Sequence, residues 1–600
     1  MRRYLSLWAE FFLLSWRRRP LLTAAALAAI AGDVLALAGC ALALRAAVDA
    51  IVAGDTPGAV TAGAVAAVAY AAYLVLRDLS GLLRSTVVDR VGRLDLHPEV
   101  YRDIAGLDGI EHLERSDFLD RVMLVRASPG RLVASLWNAI MTVANVAKLV
   151  VTMLLLGTVS PWLLLLLLFA AVPVWFDHRG QRVVRRTELD TAEDLRLEQH
   201  LANLAVGAAS GKEIRVAGAG PELVRRQAEA WRRATERRVR AHAIAAAWRF
   251  AGWLVFVAGF CGGLAFVAYL TAQGSGTVGD LMLAVTVAAT LRQTVHSTVA
   301  STTETAGSGR LIEPYLWLRD YVAAQRAAAS GAVEPPRALR QGIVLENVTY
   351  SYPGTNRPAL RDISVTLPAG AVVAIVGEYG SGKTTLVKLL AKLYRQDAGR
   401  ILVDGVDLAE LSTTGWRARM SAAFQDFGRF HTTFAETVGL GDLPHLTDRA
   451  RIERAVREAD AQELVARLPD GLDTRLGAEL GGVELSEGQW QRTALARASM
   501  RDDALLFVLD EPTASLDAPS EQAIFERYMA RARTLSRATG AVTVIVSHRF
   551  STVTGADLIL VLHRGRLVEA GTHDELMALG GRYAELYGIQ AAAYAEEPIS

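Results

Sequence analysis

The 600 residues predict a two-part fold: an α-helical half that crosses a membrane, then an α/β domain. Three observations carry this. Six apolar stretches of membrane-crossing length crowd the first half; an Ala-, Ser-, Gly- and Pro-rich segment with Pro335-Pro336 interrupts the pattern; short β-branched runs alternating with helical segments follow. With 52% hydrophobic residues the chain is too apolar for one ordinary soluble domain. A formal net charge of +1 gives no basis for a nucleic-acid partner, which would need a basic surface against its phosphates. The two cysteines, Cys40 and Cys261, lie inside apolar runs, make neither a disulfide framework nor a zinc site, and read as buried thiols.

Lipid offers the backbone no hydrogen-bond partner, so a span needs roughly 20 apolar residues in a helix. The candidates are Leu21 to Leu44, Val60 to Leu82, Leu136 to Leu156, Trp162 to Phe176, Trp248 to Leu270 and Val278 to Val299. The fourth is short and the sixth is the most polar. Before them, Leu5 to Trp16 mixes Leu, Phe and Trp with few charges and suits a helix lying along the membrane surface. The run Arg17-Arg18-Arg19-Pro20 opens the first span rather than a removable signal peptide. Ala46 to Ala59, Gly157 to Pro161 and Thr271 to Thr277 contain no Lys or Arg, whereas the alternate loops are crowded with Arg, which puts both termini in the cytoplasm. Two long internal connections, roughly Leu83 to Ser135 and Asp177 to Ala247, are charged but periodic and read as helices extending into the cytoplasm. We divide the chain into a transmembrane region (1–322), a linker (323–341), an α/β nucleotide-binding domain (342–590) and a tail (591–600).

The α/β assignment rests on strands such as Ile343 to Val348, Val372 to Val376, Leu505 to Leu509 and Val542 to Val546. Between the strand ending at Val376 and the helical run from Thr385 to Leu393 lies Gly377-Glu378-Tyr379-Gly380-Ser381-Gly382-Lys383-Thr384, the spacing of a P-loop. Its glycines let backbone N–H groups wrap phosphates, Lys383 offers a cation to the outer phosphates, and Thr384 offers an oxygen to Mg²⁺. Leu505 to Glu511 is a buried strand ending in two carboxylates. Asp510 would hold Mg²⁺ and Glu511 would orient or deprotonate the attacking water. The pattern implies ATP and Mg²⁺ as ligands.

Leu485-Ser486-Glu487-Gly488-Gln489, between these two elements, resembles the signature motif of the ATP-binding cassette (ABC) family, with Glu487 where Gly is usual. The resemblance implies that Ser486, Gly488 and Gln489 face nucleotide bound by a second subunit. It also assigns Tyr352 to adenine stacking, Gln425 to sensing Mg²⁺ and the membrane region, Thr385 to the phosphate site, Asp517 to the D-loop and His548 to the γ-phosphate. Tyr379 departs from the small polar residue usual in the loop. Six spans ahead of one cassette resemble a half-size bacterial ABC exporter. That family implies a dimer in the cell (inner) membrane, with coupling helices near 109–119 and 206–217 docking on the cassettes, where Gln425-Asp426-Phe427 would receive them. One complete set of motifs suits a homodimer; a heterodimer with a degenerate partner would look identical from this half. Ile110-Glu111-His112-Leu113-Glu114, Gly211-Lys212-Glu213-Ile214-Arg215 and Gly488-Gln489-Trp490-Gln491-Arg492 resemble antibiotic- or bacteriocin-type exporters without a peptidase domain. The implied cargo is a small organic molecule, an antibiotic, natural product, drug or peptide; lipid flipping, import on an exporter scaffold and a nucleotide-gated channel are the alternatives.

Polar residues inside spans are costly and usually face a cavity or a partner. Asn138, Thr142, Asn145, Lys148 and Thr152 share a face of the third span, and Thr286, Thr290, Gln293, Ser297 and Ser301 a face of the sixth. Lining a substrate path and hydrogen bonding between helices are equally weighted readings for the Thr and Ser residues. Lys148 and Arg292, with Asp33 as a partner for either, suggest a moderately cationic cavity.

Overall fold

The computed structural model describes residues 2–127, 129–328, 331–355, 357–511, 518–547 and 553–595. By its internal contacts the chain forms two compact units, Met1–Arg102 with Val122–Trp317, and Asp103–Arg121 with Leu318–Ser600.

The first unit is helical, and its helices start where the local chemistry allows. Pro20 occupies the first turn of Pro20–Val52; the Asp55 carboxylate accepts the Gly58 N–H at 3.0 Å to open Thr56–Arg90; Thr277 and Asp280 cap Val278–Gly307 reciprocally. Among the described residues five helices are long and apolar enough to cross a membrane: Pro20–Val52, Thr56–Ala105, Pro129–Val159, Pro161–Asp190 and Gly220–Ala272. The sixth predicted span lies on the 30-residue helix Val278–Gly307, whose apolar part is confined to Val278–Val287 because Thr, Gln, His and Ser dominate after it. Cys40 is buried, whereas Cys261, against expectation, is exposed.

The long internal connections are helical, as their periodicity predicts. Thr56–Arg90 continues through a π-helical turn, Val91–Leu96, into His97–Ala105, and Gly220–Ala272 runs for 53 residues. The π turn sits where Gly92 meets Gly130: a Cβ on Gly92 would lie 2.5 Å from the Gly130 Cα. The helix pair Leu166–Asp190 and Gly220–Ala272 closes in the same way. A Cβ on Gly259 would lie 2.3 Å from the Phe169 ring, so only glycine admits this approach. The second predicted coupling segment forms the helix Ala208–Val216, which follows Val206 and ends at Val216, 85% and 91% exposed.

The second unit contains two sheets. The four-stranded antiparallel sheet has the order β2-β1-β4-β5 and the six-stranded one β10-β9-β3-β8-β7-β6. The strands are β1 (Gly342–Tyr350), β2 (Leu360–Pro368), β3 (Val372–Gly377), β4 (Ala398–Val403), β5 (Val406–Asp407), β6 (Met420–Ala423), β7 (Leu506–Asp510), β8 (Val542–Val546), β9 (Leu558–His563) and β10 (Arg566–Gly571). The second sheet is parallel except for its edge strand β10. Strands β7 and β8 are buried along their whole length, which explains their unbroken apolar runs. The site therefore forms beyond the C-terminal ends of β3 and β7, where an α/β sheet opens a crevice.

The first coupling segment belongs to this unit. Its 3₁₀ turn Glu111–Glu114 is fixed by the Ile110 N–H donating to the Leu393 carbonyl at 3.2 Å, by Arg417 donating to the Asp108 carbonyl, and by a Lys388–Glu114 ion pair at 3.6 Å. His112 is buried against Phe118, with ring centroids 4.9 Å apart. These bonds go to the phosphate-loop helix, the turn after it and Arg417 on the helix Thr413–Ala418, not to Gln425, whose side chain is engaged elsewhere.

Candidate functional site

The phosphate loop spans the end of β3 and the start of the helix Lys383–Leu390. Gly377 and Gly382 have φ of +148° and +104°, and a Cβ would meet the Leu562 carbonyl at 2.2 Å and the Leu360 Cδ2 at 2.7 Å respectively, so both positions demand glycine. Gly380 has φ of +74° and open space around it. The loop thus turns through positive-φ glycines into a helix N-terminus, a setting for anions. Lys383 is buried, and its Nζ donates to the carbonyls of Gly377 (2.9 Å) and Glu378 (3.1 Å). Burial lowers its pKa, while the carboxylates of Glu511 and Asp510 act the other way. The Ser381 hydroxyl is buried without a hydrogen-bond partner.

Asp510 ends β7 and is 2% exposed, and neither of its carboxylate oxygens has a hydrogen-bond partner of normal geometry. Burial pushes its pKa up to about 6; the neighbouring Thr384 hydroxyl lowers it, and Glu511 and Asp426 raise it. A buried carboxylate left without donors beside a threonine hydroxyl fits an oxygen-binding cation such as Mg²⁺. Glu511 follows in the left-handed region, φ +51°, an uncommon and strained conformation for a non-glycine residue that turns its side chain out of the strand direction. It is held there by its N–H donating to Val546 O at 3.0 Å, by Gln425 Nε2 donating to its Oε2 at 2.9 Å, and by Gln491 Nε2 reaching its carbonyl at 3.4 Å. A cavity of about 220 Å³ opens here, lined among others by Gln425, Glu487, Gln491, Asp510 and Glu511.

Tyr352 stands edge-on to Tyr350 and Tyr394, with centroids at 5.2 and 5.5 Å, and its hydroxyl is 3.0 Å from the Thr385 hydroxyl. Ser486 and Gln489 form the capping box that opens the helix Glu487–Ala498; Ser486 N–H donates to Gln489 Oε1 at 2.8 Å, and Gly488 lies in the first turn. Tyr379 is fully exposed. Asp517 and His548 lie outside the described residues. Two ion pairs in these loops were not foreseen: Arg582 with Glu378, and Arg429 with Glu487. Partners 204 and 58 residues apart obey no spacing rule; the only signal was an acidic residue in a phosphate-facing motif.

In the helical unit the polar stripe of the third span bonds to other helices. Arg84 donates to Asn138 Oδ1 at 3.1 Å, and Asn145 meets Ser301 at 3.3 Å and Ser297 at 3.4 Å. Lys148 donates to Asp33 Oδ2 at 2.5 Å and lies 5.5 Å from the Tyr73 ring centroid. The pair is 12% and 8% exposed, so Lys148 is a neutralised cation rather than a free one. Thr290 bonds to the backbone of its own helix and Gln293 is exposed. The Arg292 side chain lies outside the described residues.

A glycine-wrapped phosphate loop, a buried orphan carboxylate and a capped signature helix define a P-loop nucleotide-binding cassette. Residues 360–514 match the family described as ABC transporter. The structure is similar to that of a bacterial Atm1-family ABC exporter with ATP bound, with a TM-score of 0.78 and 25% identity over 97% of this chain and 100% of that one. Relatives in sequence are named ATP-dependent lipid A-core flippases. That of Pseudomonas fluorescens (strain Pf0-1) is 37% identical over 55% of this chain and 52% of its own length, and that of Burkholderia orbicola (strain AU 1054) 41% identical over 44% and 42%. The chain thus spans about half the length of the curated relatives it matches. It carries an ABC transporter domain on a half-size ABC exporter fold.

Proposed function

We propose that this chain is one half of an ATP-driven exporter, six spans with a cytoplasmic cassette in a bacterial cell membrane, working as a homodimer. The observation that carries the reading is the set of buried polar groups without a hydrogen bond of normal geometry, Ser381 and both Asp510 oxygens, beside Lys383 and a constrained Glu511. Each is a group that a nucleotide triphosphate with its cation would satisfy.

In this reading Tyr352 supports the adenine, and the loop amides take the phosphates. Lys383 exchanges the carbonyls of Gly377 and Glu378 for the outer phosphate oxygens. Mg²⁺, when bound, neutralises charge between the outer phosphates; Thr384 and Asp510 would hold it. Glu511 orients and deprotonates the attacking water, and Gln425, bonded to Glu511, fixes its carboxylate. Ser486 and Gly488 of a second copy complete the site, with Asp517 and His548 in the roles their motifs imply. Closing two cassettes on ATP moves the coupling segments and turns the membrane cavity outward; hydrolysis resets it.

The antibiotic or peptide cargo implied by the sequence yields to a lipid-like amphiphile as the leading cargo, because the matched relatives are named as flippases. The pairing of Lys148 with Asp33 also counts against a free cation for anionic drugs. The test is ATP hydrolysis by the purified chain in lipid beside Glu511→Gln. Hydrolysis that the substitution abolishes supports a competent homodimer; an unchanged rate refutes the role of Glu511, and no hydrolysis by the unaltered chain refutes the homodimer. Fluorescent lipid moved outward in vesicles of known orientation supports flipping, and inward movement would make the chain an importer.

A further inference from the structure

A carboxylate is an unexpected neighbour for a polyanion, yet Glu378 is the second residue of the phosphate loop. Its side chain is held from outside the loop. Arg582 Nη2 donates to one carboxylate oxygen, and His563 Nδ1 lies 3.7 Å from the other. Arg582 is the first residue of the last helix, Arg582–Ala595, and that helix start is anchored independently of the loop. Glu569 on β10 accepts the backbone N–H groups of Arg582 and Tyr583, the latter at 2.9 Å. His563 ends β9, which pairs alongside the loop: Gly377 is in register with Leu562, and the Gly565 N–H donates to Ser381 O at 3.1 Å. A hairpin and a helix start thus set two nitrogen groups against the one acidic side chain of the loop.

We propose that Arg582 is a positioning residue for nucleotide binding: it draws the Glu378 carboxylate to the outer side of the phosphate loop and neutralises it, so that the C-terminal helix sets the affinity for nucleoside triphosphate. This rests on the ATP-binding reading above. Without Arg582 the carboxylate keeps only His563 beside it, and its negative charge on the phosphate loop repels phosphates over a Debye length of about 8–10 Å.

The test is equilibrium binding of ATP and of adenosine to the full chain, for the unaltered protein, Arg582→Ala, Arg582→Lys, Glu378→Gln and the double variant Glu378→Gln/Arg582→Ala. Arg582→Ala is expected to weaken ATP binding by about two- to fivefold at low salt and less at high salt, as for an exposed ion pair. Adenosine binding stays unchanged, Arg582→Lys recovers most of the loss, and Glu378→Gln suppresses it. Unaltered ATP affinity in Arg582→Ala overturns the inference, as does an equal loss in the Glu378→Gln background or an equal loss for adenosine, which would mark a merely structural role. An unaltered chain that fails to bind ATP overturns the reading of function itself, and this inference with it.

Discussion

The buried carboxylate of Asp510 is held for a ligand at a cost to the empty protein, and that cost can be measured. Its pKa rises from 3.8 to about 6, chiefly because burial disfavours the charged form. A raised native pKa means that the folded chain holds this proton more tightly than the unfolded one. The associated stability is complete below pH 3.8 and is lost as pH rises through about 6. That rise corresponds to about 3 kcal/mol withdrawn from the nucleotide-free protein at neutral pH. Asp510→Asn keeps the shape and removes the charge. In protein free of nucleotide and Mg²⁺ it is expected to raise the melting temperature at pH 7.5, on the order of 5 °C for a domain of this size. It should also flatten the fall in stability between pH 4 and 6. The same variant should gain little further stability from ATP with Mg²⁺, which in the unaltered chain stabilises by mass action. Thermal unfolding followed by intrinsic fluorescence across pH reads all three. A variant that melts lower than the parent at pH 7.5, with the pH profile unchanged, would refute the argument that burial is what strains this carboxylate.

Gly382→Ala places a methyl 2.7 Å from Leu360 Cδ2 and 2.8 Å from Ala359 O in a left-handed conformation; we expect about 1–3 kcal/mol of destabilisation and loss of ATP binding in a nucleotide-binding assay. Lys148→Met and Asp33→Asn each leave one buried charge or polar group of the pair unmatched and should each cost about 3–5 kcal/mol, read as loss of thermal stability, whereas Lys148→Met with Asp33→Leu should recover most of it. If Lys148 instead lines a cationic path, Lys148→Met will change transport with the melting temperature untouched. Glu114→Lys sets like charges against Lys388 and should leave basal ATP hydrolysis intact while reducing its stimulation by the cargo, for which the proposed function supplies lipid as the probe.

Local rules made most of the cassette legible in the sequence. The P-loop needs glycine at fixed positions for backbone reasons, the carboxylate strand is an unbroken apolar run because both its faces are covered, and Ser486 with Gln489 is a capping box readable from spacing alone. The helical extensions were equally legible from their period. The sixth predicted span falls short of the other five because threonines dilute its hydropathy while bonding to their own helix backbone. The contacts that sequence could not give are those between distant elements. Arg417 reaches Asp108, and Arg582 reaches Glu378, through folding that no motif spacing encodes. The coupling segment itself was located, but its receptor at Leu393 and Lys388 was not, since a backbone carbonyl leaves no trace in side-chain identity.

The two units treat their charges in opposite ways, and the contrast bears on where ligand energy enters. Among the described residues of the helical unit, several charges on the apolar helices are matched by protein: Lys148 with Asp33, Arg45 with Asp280 at 2.7 Å, and Asp49 with the Gly279 N–H at 3.0 Å. Such pairing removes most of the penalty of a charge in lipid and leaves little electrostatic energy for a cargo to release. In the cassette Asp510 and Ser381 lack partners of normal geometry, and the Lys383 ammonium rests on weak carbonyl acceptors. The phosphate site therefore gathers unmet polar groups that a ligand could satisfy, and a ligand can shift a conformational equilibrium only by as much as its affinity differs between the two states. In the function proposed above, nucleotide rather than cargo then supplies the main bias toward a closed cassette pair.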